Sequence, residues 1–125
     1  IGGDPMLGTT TCDALEALDR DSGTDAVVIV GEIGGAMEES AADYARKMRK
    51  PMVAFIAGAA APPGKKMGHA GAIVTGSAGS YASKRKALEA AGVVVVDTPS
   101  QIATAVAAGL RASRAGSKIA AGNSA

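Results

Sequence analysis

The only histidine of the sequence, His69, lies in a glycine-rich stretch and is the residue best suited to carry chemistry. It stands between Gly68 and Gly71, and Lys65 and Lys66 precede it. An imidazole titrates near neutral pH, so its nitrogen can be a nucleophile in one step and a leaving group in the next. The glycines permit a closely folded backbone, and the lysines supply positive charge. This pattern predicts a site for a charged group such as phosphate, while a solvated loop histidine without function fits the same residues.

A second candidate is Glu32, which follows the apolar run Ala26–Val30 and precedes the pair Gly34-Gly35. A carboxylate that accepts a hydrogen bond from one ring nitrogen of His69 would fix the tautomer and leave the other nitrogen as the nucleophile. A solvated carboxylate, or one that caps the following helix, is the alternative. The glycine pair could bring backbone N–H groups close to an anion, or could simply form a turn.

Strands that alternate with helices would position these two residues. Continuous apolar runs without polar alternation are typical of strands that are covered on both faces, as in a parallel sheet. Capping residues, charge polarity and apolar spacing indicate helices between the runs. We predict strands at Ala26–Val30, Met52–Ala57 and Val93–Val96, and helices that begin near Thr11, Met37, Ser80 and Pro99 and end near Asp21, Lys50, Ala91 and Leu110.

This alternation predicts an α/β fold, with a parallel sheet and helices on both of its faces. Ligands bind such sheets at the carboxyl ends of the strands. The strand exits at Glu32 and at Gly58, which leads towards His69, should therefore lie on one edge of the sheet. Three strands with long apolar edges are few for an independent domain, so we expect that first strands are missing upstream of Ile1 or that another chain covers an edge.

The composition argues against several functional classes. The chain has 125 residues, which predicts one domain, and we divide it into a domain at residues 1–112 and a disordered tail at residues 113–125. A net charge of +1 and an aromatic content of 2% do not suit a nucleic-acid partner. No apolar run reaches the roughly 18 residues of a membrane span. One cysteine and one histidine cannot build an ordinary zinc site, so we predict no metal site.

Four short motifs follow one another along the chain. They are Gly2-Gly3-Asp4-Pro5, Gly31-Glu32-Ile33-Gly34-Gly35, Ile56-Ala57-Gly58 and Gly68-His69-Ala70-Gly71-Ala72. Taken together and in this order, they resemble the α subunit of succinyl-CoA synthetase. The resemblance extends from about Ile1 to Leu110, and malate–CoA ligase and ATP-citrate lyase share the same module.

The resemblance implies a flavodoxin-like fold and the C-terminal, phosphohistidine-bearing domain of that subunit. Enzymes of this family form acyl-CoA reversibly from a carboxylic acid, CoA and a nucleoside triphosphate. By the match of motifs, His69 would be the residue that is phosphorylated, and Glu32 would orient it. Gly68, Ala70 and Gly71 would form the phosphate loop.

The resemblance also implies partners that this chain does not contain. CoA and ATP or GTP with Mg²⁺ would be substrates of the full enzyme, bound mostly by an upstream CoA-binding domain and a β subunit. We therefore expect a hetero-oligomer that acts on a small carboxylate, in a bacterial cytoplasm or a mitochondrial matrix, and an isolated chain that is inactive. A non-catalytic flavodoxin-like module, for assembly or for phosphate binding, is the alternative.

Overall fold

The computed structural model of the chain describes residues 1–2, 6–62, 72, 74 and 78–122, with residues 117–122 described by their backbone alone. Helices and strands alternate along this part of the chain, as the sequence predicts. In chain order they are α1 (Thr11–Arg20), β1 (Val27–Glu32), α2 (Met37–Ala45), β2 (Met52–Ala57), α3 (Tyr81–Ala90), β3 (Val94–Val96), a 3-10 turn (Pro99–Gln101) and α4 (Ile102–Gly122).

The described strands form one parallel sheet in the order β1-β2-β3. Val27 pairs with Met52 at the start of β1, and Glu32 pairs with Ala57 at its end. The α/β fold with a parallel sheet is therefore confirmed. The carboxyl ends of β1 and β2 lie on the same edge of this sheet, which is the edge where α/β proteins bind ligands.

One face of the sheet, which we call the inner face, carries the main core. Alternate strand residues such as Ile29, Ala54 and Val95 point to this face and are buried. Helices α1, α2 and α3 supply the other side of the core, and their short alanine side chains let α2 approach closely. The helical residues of the core are Leu15, Ala41, Ala42, Ala45 and Leu88.

The opposite, outer face is covered only in part. Helix α4 packs on β2 and β3, where Val53 and Val96 are buried, so helices lie on both faces as predicted. Over β1, however, Val28 is 41% exposed and Val30 is 70% exposed. The prediction that this strand is covered on both faces is therefore wrong for the described residues, because α4, the helix on this face, packs on β2 and β3.

Helix α2 ends at Ala45, five residues before the predicted end at Lys50. Tertiary contacts explain the early end, because the residues that follow α2 turn towards the end of α1. The Lys50 ammonium donates a hydrogen bond of 2.6 Å to the carbonyl oxygen of Leu18. The backbone N–H of Arg49 donates one of 3.3 Å to Oδ1 of Asp19. These basic residues thus bind α1 rather than complete α2.

Helix α4 continues past the predicted end at Leu110 and reaches Gly122. The boundary at residue 112 and the disordered tail at residues 113–125 stay predictions, and residues 123–125 lie outside the described part. Residues 111–116 are exposed, so packing does not stabilise this part of the helix, and the intrinsic helix propensity of alanine and arginine favours it instead.

Among the helices that the structure describes, none combines the length and the apolar character needed to cross a membrane.

Candidate functional site

Glu32 is the last residue of β1 and lies, half-buried, at the carboxyl edge of the sheet. Its register partner is Ala57, the last residue of β2. Because side chains alternate along a strand, Glu32 follows Val28 and Val30 on the outer side of β1. The structure thus places this predicted site residue beside the exit of the strand that leads towards His69.

The other predicted site residues, His69, Gly68, Ala70 and Gly71, lie outside the described residues. Their distance from Glu32 therefore stays a prediction. Beyond them the description resumes at Ala72, whose side chain is buried.

The loop between β1 and α2, which we call the exit loop (residues 33–36), is tied to two neighbouring segments. The Ile33 N–H donates a hydrogen bond of 3.1 Å to the carbonyl oxygen of Ala57. The Gly34 N–H donates one of 2.8 Å to the carbonyl oxygen of Gly79, before α3. The N–H of Gly34 thus has a partner within the chain and is not the anion-binding group that the glycine pair suggested.

A buried ion pair lies beneath this loop. The Lys84 side chain of α3 is 0% exposed and that of Glu38 in α2 is 8% exposed, and the Lys84 ammonium donates to Oε2 of Glu38. The same ammonium donates a hydrogen bond of 2.6 Å to the carbonyl oxygen of Gly34. The other carboxylate oxygen of Glu38, Oε1, accepts a hydrogen bond of 3.1 Å from the Glu32 N–H. The pair therefore holds the backbone on both sides of Ile33.

Two glycines leave room for these contacts. A Cβ atom at Gly31 would lie 2.3 Å from Oε1 of Glu38, so only glycine lets this carboxylate rest against the strand. At Gly79, where φ is +71°, a Cβ atom would lie 2.6 Å from the carbonyl oxygen of Gly35. Both positions require glycine for close approach, and Gly79 also requires it for its backbone conformation.

A second carboxylate, Glu39, ties the start of α3 to α2. Its Oε1 accepts hydrogen bonds from the Gly79 N–H at 3.2 Å and from the Ser83 hydroxyl at 3.1 Å. Its buried Oε2 lies 4.0 Å from the Lys84 ammonium and has no hydrogen-bond partner among the residues that the structure describes. Lys84 thus lies between two carboxylates, and the closer one neutralises it.

Neither Lys84 nor Glu38 was predicted from the sequence as a site residue. The pattern that could have found Lys84 is its spacing, because it stands between Tyr81 and Leu88 on the apolar stripe of α3. A lysine on the inward side of a helix must have a buried partner, since an unpaired buried charge is costly.

A groove of about 690 Å³ runs beside β1, and Glu32 is among its lining residues. Apolar side chains such as Leu7, Leu18, Val28 and Val30 form much of its wall. In the described part of the chain β1 pairs only with β2, so the groove follows the open side of this strand. Its apolar wall suits packing against protein better than it suits a phosphate group.

Comparisons with known proteins agree on one family. The CoA-ligase family model matches residues 1–94. The chain is 60% identical over 110 residues to the α subunit of an ADP-forming succinate–CoA ligase from Methanothermobacter thermautotrophicus, covering 88% of this chain and 38% of that one. It is 54% identical over 107 residues to a subunit of the same name, alpha 2, from Archaeoglobus fulgidus, covering 86% and 37%.

A solved structure is also similar. An ATP citrate lyase from Methanosaeta concilii, in complex with (3S)-citryl-CoA, superposes with a TM-score of 0.75 at 26% identity. The match covers 84% of this chain and 18% of that one. The chain thus spans less than two-fifths of the length of the curated relatives named above.

Proposed function

The chain belongs to the CoA-ligase family, and from this premise we propose that it is the phosphohistidine-bearing part of a succinate–CoA ligase α subunit. In this proposal His69 relays a phosphoryl group between a nucleoside triphosphate and an acyl phosphate, during reversible formation of succinyl-CoA. Glu32 orients the imidazole of His69, and Gly68, Ala70 and Gly71 surround the phosphate.

One observation carries the proposal more than any other. Glu32 ends β1 directly beside Ala57, the last residue of β2, and His69 follows Ala57 by 12 residues in the sequence. A connection that leaves the sheet beside Glu32 and has this length can bring His69 within reach of the Glu32 carboxylate.

The chemistry that follows is that of an oriented imidazole. The Glu32 carboxylate would accept a hydrogen bond from the protonated ring nitrogen, so the lone pair of the other nitrogen faces the phosphorus atom. When that nitrogen attacks, a P–N bond forms and the P–O bond to the leaving group breaks. The ring becomes positively charged, and the carboxylate stabilises this charge.

The substrates and partners of the whole enzyme complete the proposal. CoA, ATP or GTP with Mg²⁺, and succinate would be bound mainly by an upstream CoA-binding domain and a β subunit. Among the described residues no group of three or more His, Cys, Asp or Glu side chains is placed to hold a metal ion.

The test uses the full-length protein in complex with its partner subunit. Incubation with a nucleoside triphosphate labelled at the γ-phosphate should give acid-labile, base-stable label on His69, and succinate with CoA should remove it. The His69→Ala variant should carry no label. Equal label on that variant, or none on the unsubstituted protein, would contradict the phosphoryl relay.

The role of Glu32 has its own test in the same assay. Glu32→Gln replaces a charged acceptor by a neutral one of the same shape, and a hydrogen bond to a charged group contributes about 1.5–3 kcal/mol. We therefore expect phosphorylation of His69 to slow by roughly 10- to 100-fold while the circular dichroism spectrum stays unchanged. An unchanged rate would remove Glu32 from the proposal.

A second candidate function has one observation in its favour, the structural similarity to an ATP citrate lyase. The identities of 60% and 54% to succinate–CoA ligase subunits favour succinate. Removal of the label from His69 by CoA with succinate, malate or citrate would distinguish the acids, and we expect succinate to act fastest.

A further inference from the structure

We propose that Lys84 and Glu38 are positioning residues for Glu32, because their buried ion pair fixes the backbone that carries this carboxylate. The inference rests on the proposed function of Glu32. It extends that function to two side chains that act through Glu32 and do not themselves meet the phosphoryl group.

The contacts of the pair reach the site residue from both sides along the chain. Glu38 accepts a hydrogen bond from the Glu32 N–H at 3.1 Å, and Lys84 donates one to the carbonyl oxygen of Gly34 at 2.6 Å. Because Lys84 and Glu38 also bind each other, the two contacts form one unit. A displacement of either side chain would therefore shift both backbone groups.

The direction of these contacts explains how Glu32 is presented. The Glu38 carboxylate lies against Gly31, whose missing side chain would point to the inner face. The backbone of β1 is thus held from its inner face, while Glu32 belongs to the alternating set of the outer face. Such an arrangement restricts the backbone on one face and places the carboxylate on the other.

Stability alone does not require charge at this place. A buried ion pair contributes little net stability, and apolar residues of similar volume often replace one without loss. Leu88, on the same stripe of α3 and also buried, shows that the surroundings suit an apolar side chain. What an apolar pair could not do is bind the Glu32 N–H and the Gly34 carbonyl.

The test uses the full-length protein in its complex and the double variant Glu38→Met/Lys84→Met. Both charges are removed together, so no unpaired charge stays buried. We expect a folded complex whose thermal transition is lowered only by the loss of partners for the Glu32 N–H and the Gly34 carbonyl oxygen, and a loss of roughly 10- to 100-fold in the rate of His69 phosphorylation. Arg85→Met is the matched control, because Arg85 is the next residue of α3 and binds Tyr81, Glu89 and Asp97 instead. It should change the rate less than about threefold.

A double-mutant cycle with Glu32→Gln separates positioning from a general effect on the fold. If Lys84 and Glu38 act through Glu32, adding Glu38→Met/Lys84→Met to Glu32→Gln should slow phosphorylation by less than about threefold more. Losses that multiply in full would overturn the proposal. So would a rate for the double methionine variant that equals that of Arg85→Met.

Amide hydrogen exchange gives a readout that does not depend on activity. The Glu32 amide should exchange at least about tenfold faster in the double methionine variant, while the Ile29 amide keeps its protection. Unchanged exchange at Glu32 would overturn the proposal even if the rate fell. If the proposed function is wrong, the unsubstituted protein will carry no label on His69. The exchange rate of the Glu32 amide still shows, in that case, whether the ion pair positions this residue.

Discussion

The two faces of β1 are built from similar residues but differ in what covers them. On the inner face Val27 and Ile29 are buried against helices of the same chain. On the outer face Val28 and Val30 are 41% and 70% exposed. An apolar strand can therefore be buried on both faces. Whether each face is buried depends on where the helices lie.

The same contrast continues at the end of the strand. The inner face provides the buried pair of Glu38 and Lys84, which holds the backbone of Glu32. The unpaired edge of β1 borders the apolar groove, which both Glu32 and Glu38 line. Glu32 is thus held through its backbone by one face of the sheet, while its side chain belongs to the other.

The largest expected effect comes from the inner face. Ile29→Ala removes most of a side chain that is 6% exposed and leaves a cavity, so the free energy of unfolding should fall by about 2–5 kcal/mol. Denaturant unfolding of the chain measures this change. A loss below about 1 kcal/mol would contradict the assignment of the inner face as the core.

Val27→Thr should have the next largest effect. It keeps the shape of a side chain that is 5% exposed but buries a hydroxyl group, which costs about 1–3 kcal/mol. The same unfolding experiment gives the value. A cost near zero would mean that this hydroxyl finds a partner at the start of β1.

A smaller effect is expected at the start of α1, which borders the groove. Thr10 caps this helix together with Asp13, and Thr10→Ala should destabilise the chain by about 1 kcal/mol. Hydrogen bonds from the Thr10 hydroxyl and N–H lower the pKa of Asp13. The stability from this lowered pKa is present above the ordinary aspartate pKa and is lost as the pH falls through the lowered value.

In the Thr10→Ala variant the pKa of Asp13 should therefore move up towards its ordinary value. Titration of the carboxyl carbon by NMR measures this shift. A pKa of Asp13 that does not change would show that the capping contact is absent in solution.

The smallest effect is expected on the outer face. Val30→Thr makes the same chemical change as Val27→Thr at a residue that is 70% exposed, so the free energy of unfolding should change by less than about 0.5 kcal/mol. The same substitution in the longer protein sharpens the comparison. A cost there equal to that of Val27→Thr would mean that another part of the assembly covers the outer face of β1.

Much of the local structure could be predicted from the sequence. β2 has the predicted bounds, and α3 begins at its predicted start, where Ser80 caps it. Such features depend on short stretches, since capping hydroxyls and apolar runs act within a few residues. The end of α2 could not be predicted in this way, because Lys50 binds a carbonyl of α1 that is distant in the sequence.

The residues of the candidate site likewise include one that the sequence predicted and two that it did not. Glu32 was predicted from its place after an apolar run, and the structure puts it at the carboxyl edge of the sheet beside Ala57. His69 lies outside the described residues, so its meeting with Glu32 stays a prediction. Glu38 and Lys84 were missed, because they are far apart in the sequence and become partners only when α2 and α3 pack together.

The sequence by itself determined the order of the elements and the parallel sheet, and it indicated the residues that could carry chemistry. These follow from the spacing of apolar residues and from side-chain types, which act along the chain. Only the tertiary structure decided which face of β1 is buried, where α2 ends and which charges meet beneath Glu32. Those outcomes depend on contacts between distant segments, and a buried charge finds its partner only through the packing that removes it from water.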